Sequence, residues 1–138
     1  MPKKWTRESA FARFGAECRN PRWSWSGRSP DGQVVVMTMW QDEIKHENGR
    51  MIYESRGRKP EGRKSPGRSE RLDNLKWARD HCGGRVRVVI AIAEDVKAVP
   101  RRAIEWFPQD SLIMEIRELD EETGAFRAVQ VDSMDTAS

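Results

Sequence analysis

Cysteine, histidine and tyrosine are scarce in this chain: two Cys, two His and one Tyr among 138 residues. Cys18 and Cys82 lie far apart and cannot build a disulfide framework, so a disulfide-stapled scaffold is excluded and both are expected as free, buried thiols. No CxxC or HxxxH spacing exists. His81 adjoins Cys82, but Cys18 and His46 are remote, so neither a zinc site nor any other metal or cofactor is expected. His81 reads instead as a cation near a helix C-terminus. A Walker or dinucleotide glycine loop is missing, and so is a serine elbow with a histidine base. No run of apolar residues approaches the length of a membrane span, and no signal-peptide pattern opens the sequence. The expected setting is the cytoplasm, without a membrane partner.

Tryptophan and positive charge are present instead. Six tryptophans stand in a chain that is 37% hydrophobic and 34% charged. That is a lean core under a heavily charged surface, and tryptophan supplies large contact area at low entropic cost to either a core or a binding face. The net charge of +3 conceals an asymmetry: residues 1–88 hold 20 Lys and Arg against 11 Asp and Glu, whereas residues 89–138 hold 5 against 11. A polyanion would be attracted to the first part and repelled by the second.

The length suits one domain, expected over residues 1–130 with a flexible tail at 131–138. TRESAFARFGAEC (6–18) predicts a first helix capped by Thr6, and Asn20-Pro21 breaks it. RWSWSGR (22–28) and QVVVMTMW (33–40) predict a hairpin around the turn residues Ser29-Pro30-Asp31-Gly32. For either a two- or a four-residue loop, Trp23, Trp25, Val34, Val36, Thr38 and Trp40 share one face. MIYESR (51–56) predicts a short third strand. Ser69 is expected to cap a second helix whose inner stripe is Leu72, Leu75, Ala78 or Arg79, and Cys82, stopped by Gly83-Gly84. RVRVVIAIA (85–93) reads as a central strand. A short helix is expected around Arg101 to Trp106. SLIMEIREL and AFRAVQV should form a second hairpin turning at 120–124. The fold class is therefore α+β: a mostly antiparallel, curled or barrel-like sheet with two to three helices, in the order α-β-β-(β)-α-β-(α)-β-β.

The densest charge lies in RGRKPEGRKSPGRSER (56–71), expected to be a mobile basic loop. Arg56, Arg58, Lys59, Arg63, Lys64, Arg68 and Arg71 are of the kind that neutralises phosphates with release of counterions. Trp23, Trp25 and Trp40 supply flat rings on which a base stacks, or a cage that encloses a modified one. Asp42, just past Trp40, is placed to accept from an exocyclic amine. Ser24 and Ser26 belong to the opposite face. The alternative use of the same three tryptophans is as core, packed on Phe11 and Phe14.

Pro30-Asp31 followed by Glu43-Ile44-Lys45 resembles the PD…ExK signature of a large family of metal-dependent nucleases. The resemblance implies that Asp31 and Glu43 share Mg²⁺ while Lys45 assists the attacking water. An uninterrupted strand over residues 33–40 spans about 26 Å, however, which sets the two carboxylates at its opposite ends.

The leading expectation is a non-catalytic nucleic-acid-binding domain for DNA or RNA, with the basic loop on phosphates and the tryptophans on a base. The alternative is a protein-interaction or adaptor domain whose acidic C-terminal hairpin (Glu115, Glu118, Asp120, Glu121, Glu122) meets a basic partner. The Mg²⁺ nuclease is a lesser alternative.

Overall fold

A computed structural model describes residues 5–20, 24–55, 66–97 and 102–131, with backbone alone for 66–68. Among these residues two α-helices, α1 (Arg7–Ala12) and α2 (Pro66–His81), accompany seven strands: β1 (Ser26–Arg28), β2 (Val35–Trp40), β3 (Lys45–Glu47), β4 (Arg50–Ser55), β5 (Arg85–Ala93), β6 (Ala103–Leu119) and β7 (Phe126–Val131). All seven strands form one sheet in the order β1-β2-β5-β6-β7-β4-β3. Only the β2–β5 pair is parallel, so the sheet is mostly antiparallel, as expected.

The sheet curls without closing into a barrel. A 3-10 turn at Gln41–Glu43 is the corner that carries the chain from β2, near one end of the sheet, to β3 at the other. The two ends of the sheet are joined there by the chain itself and not by a strand ladder. Helix α2 spans the opening. Asn74 Nδ2 donates to Ser26 Oγ at 2.8 Å and Trp77 Nε1 to the Gly32 carbonyl at 2.8 Å, on the β1 side. Arg71 donates to Ser55 Oγ at 3.2 Å and lies 5.3 Å from the Phe126 ring, on the β4–β7 side.

Both faces of the sheet are covered, which is why β2 is buried at five successive positions. Beneath α2, Val35, Met37 and Met39 pack with Leu75, Ala78, Val86, Val88, Leu112, Met114 and Phe126. On the other face, Val36 and Val89 pack with Ala10, Phe11 and Ala16 of the α1 region. Strand alternation divides neighbouring residues between these two layers.

Several elements depart from the sequence expectation. The first helix keeps its Thr6 cap, reinforced by Ser9, but ends at Ala12. Gly15 turns with φ 77°, and Glu17 makes a bridge to Arg28 instead of continuing the helix. The hairpin takes the register of the two-residue loop, Ser26 opposite Met37 and Arg28 opposite Val35. Its turn opens past the Ser29–Val34 bond and is held by Asp31, which accepts from Ser29 Oγ at 2.6 Å and Gln33 N at 3.0 Å. Gly32 has φ 73°, and an added Cβ would stand 2.8 Å from the Trp77 ring, so only glycine fits.

Asn48-Gly49, both at positive φ, makes a second hairpin between β3 and β4; this dipeptide is a strong turn signal that announces β3 as well as β4. Helix α2 begins at Pro66, three residues before the expected Ser69 cap, so the basic stretch is helical from there on. Its buried residues are Glu70, Asn74, Leu75, Ala78 and then Cys82, while Leu72 is half-buried. The end is as expected: Gly84 N donates to the Ala78 carbonyl at 2.8 Å, with Gly83 and Gly84 at positive φ.

The short helix expected around Arg101–Trp106 does not form. Ala103–Leu119 is one long strand, and Pro108 inside it pairs with Val89 at a level where β7 has not yet joined. At that level one edge of β6 has no neighbour in the β7 ladder, a setting in which a strand tolerates proline. Gln109–Leu112 bulge out before pairing resumes at Ile113. The C-terminal hairpin forms as expected, with Asp120 accepting from Glu122 N and Thr123 N, and β7 runs through Val131, the first residue assigned to the tail. No helix among the described residues is long and apolar enough to cross a membrane.

Candidate functional site

The Trp side of the sheet is built on one cross-strand row. Trp40 of β2 pairs with Ala91 of β5, which pairs with Trp106 of β6. Ala91 is fully buried and small, and it separates two indoles. Trp25 sits against both, with ring centroids 5.2 Å from Trp40 and 5.9 Å from Trp106, tilted 49° and 46°. Its carbonyl accepts from Thr38 N at 2.8 Å, so the β1–β2 pairing fixes its place. The Arg7 guanidinium of α1 then covers Trp106 at 4.2 Å and Trp25 at 5.3 Å. All three tryptophans are half-buried. Burial holds the Arg7 pKa below its ordinary value. The rings thus spend much of their surface on one another and on Arg7, within the distances favoured by aromatic and cation–π pairs.

Sequence reasoning grouped Trp25 with Trp40, and the structure brings them together. It missed Trp106, because that residue lies in the stretch read as a helix and only strand register reveals its row. Trp23 lies outside the described residues, as do Arg56, Arg58, Lys59, Arg63 and Lys64, and Arg68 is described only in its backbone. Arg71 belongs to the α2 side of the sheet, opposite the Trp row. Asp42 stands on the corner turn after Trp40. Burial, helped by Glu43 and Asp42 nearby, pushes the Tyr53 hydroxyl up to about 12, while Arg71 and the Trp40 backbone oppose the shift.

A second region lies between β1 and the first half of α2. It is a polar cleft of about 260 Å³ lined by Arg19, Gly27, Arg28, Glu70, Asp73 and Asn74 among others. Gly27 is required in its wall, since an added Cβ would stand 2.3 Å from the Glu17 carbonyl oxygen. Arg28 is held over the Trp77 ring at 4.3 Å, and Asn74 is committed to Ser26. Glu70 is the exceptional group. Its side chain is 6% exposed, with Arg19 Nε, itself on a 77% exposed side chain, at 3.9 Å. Neither carboxylate oxygen has a hydrogen-bond donor in good geometry. Burial raises its pKa, and Ser24 and Arg19 lie near enough to oppose that rise in part.

The acidic C-terminal hairpin is largely occupied from within. Glu115 takes Arg85 and Arg117, each at 2.6 Å, and Glu121 takes Lys76 at 3.5 Å and Arg79 at 3.7 Å. Asp31 and Glu43 flank an uninterrupted β2, and Asp31 is engaged in its own turn, where the Ser29 hydroxyl lowers its pKa. Among the described residues, no group of three or more His, Cys, Asp or Glu is placed to hold a metal ion. Cys18 and Cys82 are both free thiols, Cys82 buried and Cys18 half-buried, and burial raises the pKa of each. Comparison with protein families, with curated proteins and with solved structures finds no match for this chain.

Proposed function

We propose that the protein is a non-catalytic nucleic-acid-binding domain of the cytoplasm, with the basic stretch from Arg56 to Arg71 lying along phosphates. The observation that carries this reading is the charge density of that stretch between two described elements. Strand β4 ends at Ser55, helix α2 begins at Pro66, and Arg71 donates to Ser55 Oγ at 3.2 Å. Seven cations stand within these sixteen residues. A phosphate backbone is the partner such a density of charge favours. The half-buried rings of Trp25 and Trp40, with Asp42 beyond them, offer a secondary contact for a base, modified or not.

The protein-partner reading draws less support. Its acidic residues Glu115 and Glu121 already hold cations of their own chain, and Asp120 caps a turn. The nuclease reading is disfavoured by the strand that separates Asp31 from Glu43.

The test is a salt titration of binding to single-stranded and duplex DNA and RNA. Arg58→Ala with Lys59→Ala is expected to weaken binding to every sequence alike. The double variant should also flatten the dependence of log K on log salt by about 0.7 for each phosphate it no longer neutralises on a single strand, or about 0.9 on a duplex. An unchanged slope would remove the basic stretch from the interface.

A further inference from the structure

We propose that the cleft between β1 and α2 takes the Watson–Crick edge of an unpaired guanine, with Glu70 and Arg19 reading it. The inference rests on the nucleic-acid reading above and adds what that reading leaves open, which base is recognised and by which residues.

The starting point is a group without adequate partners. A buried carboxylate normally collects hydrogen-bond donors, because an unsatisfied one is costly. Glu70 is nearly inaccessible and has near it only the Ser24 hydroxyl and the Arg19 guanidinium, neither in good hydrogen-bond geometry, yet it lines a cleft open to the surface. Its position also matters, since Glu70 precedes Arg71, on the helix that the basic stretch enters. At about 260 Å³ the cleft is smaller than the roughly 300–1,000 Å³ of pockets for drug-sized ligands, so it suits one base and not a larger group.

The donor pattern selects the base. A carboxylate presents two acceptors side by side. Guanine is the base with two adjacent donors on that edge, N1–H and the N2 amine. Adenine and cytosine each set one amine beside a ring acceptor, and uracil and thymine set one N–H between two carbonyls. Next to its N1–H, guanine carries the O6 acceptor. Arg19, 3.9 Å from Glu70, supplies the matching donor. Arg28 is held on Trp77 and Asn74 on Ser26, so Arg19 is the cleft cation able to turn toward a ligand. Its exposed side chain is also the neighbour most easily drawn aside to admit one. Single strands are recognised on this edge when the base is splayed out.

The experiment is an anisotropy titration of labelled single-stranded octamers, DNA and RNA, that differ only in one guanine, inosine or adenine. Inosine keeps N1–H and O6 and lacks the N2 amine. Wild type is expected to prefer guanine over both by about tenfold, the order found for one well-placed bidentate pair. Glu70→Gln is expected to lose the preference, to retain the salt slope and to melt at a higher temperature than wild type. Equal affinity of wild type for the three octamers, or a guanine preference that survives in Glu70→Gln, overturns the inference while leaving the basic stretch as a phosphate site. If no octamer binds, the nucleic-acid reading fails, and free guanosine then decides the cleft. A rise in melting temperature with guanosine in wild type and not in Glu70→Gln upholds a nucleoside site, and no rise in either overturns it.

Discussion

The two sides of the curled sheet contrast in what they leave unsatisfied. On the α1 side, three rings share two close contacts and the Arg7 guanidinium covers two of them, and a neutral group, the Thr38 hydroxyl, is buried on that face without a hydrogen bond. On the α2 side, Glu70 is as hidden as a core residue and still lacks good donors. The conspicuous aromatic region is close to self-sufficient, whereas the inconspicuous polar one has something to gain from a ligand. Binding sites hold groups whose interactions are incomplete in the free protein, and the number of unusual residues in a region does not measure that.

Changes on each side can sharpen or break this contrast. The largest effect is expected from Trp25→Ala, which removes the ring that touches both other indoles. Loss of a fully buried tryptophan typically costs about 3–5 kcal/mol; Trp25 is half-buried, so a cost at the low end of that range, read as a drop in the urea midpoint with unchanged m-value, is the expected result. A variant of nearly native stability that fails to bind any oligonucleotide would turn the Trp side into the interface and reverse the comparison.

Glu70→Gln should have the opposite sign. Removing a buried, poorly paired charge is expected to stabilise the protein by about 1–3 kcal/mol at pH 7. The pH dependence follows from the raised folded-state pKa. In the window between the unfolded value, about 4.3, and the higher folded value, the native state binds more protons than the unfolded state, so wild-type stability declines as pH rises through that window. Below it both states are protonated and the penalty is gone. The advantage of the glutamine variant should therefore be full above the folded pKa and shrink as the solution is acidified. Melting curves of both proteins across pH 4 to 8 read this directly, and a constant difference would mean that Glu70 is not the group responsible.

The smallest effect belongs to Arg7→Ala. A cation over two half-buried rings contributes about 0.5–2 kcal/mol, so a modest loss of stability is expected, with a shift in tryptophan emission as the rings gain solvent. No emission change would mean that Arg7 does not cover them in solution.

Much of this fold is legible in the sequence, and the reasons are local. β5 is a nearly continuous apolar run. Thr6, Gly83 and Gly84 mark helix ends by their own chemistry, and Asp31-Gly32 and Asp120–Gly124 mark turns. The failures are long-range. Trp106 joins Trp25 and Trp40 only because β6 pairs with β5 in one register, and two prolines made its stretch look broken. Pro108 is allowed in the strand because no neighbour occupies its other side there. Glu70 gave no signal at all. In sequence it is one charge in a charged helix, and its burial depends on β1 passing alongside α2. The cleft is a product of packing, so the residues proposed to read a base lay among those that looked least informative.

The most direct measurement of the central claim is the binding of wild-type protein to guanine-containing single-stranded oligonucleotides across a salt series, with Arg58→Ala/Lys59→Ala beside it. The expected result is a log K that falls linearly with log salt in wild type and a shallower slope in the double variant. No binding at low salt would contradict it, and so would a wild-type affinity indifferent to salt.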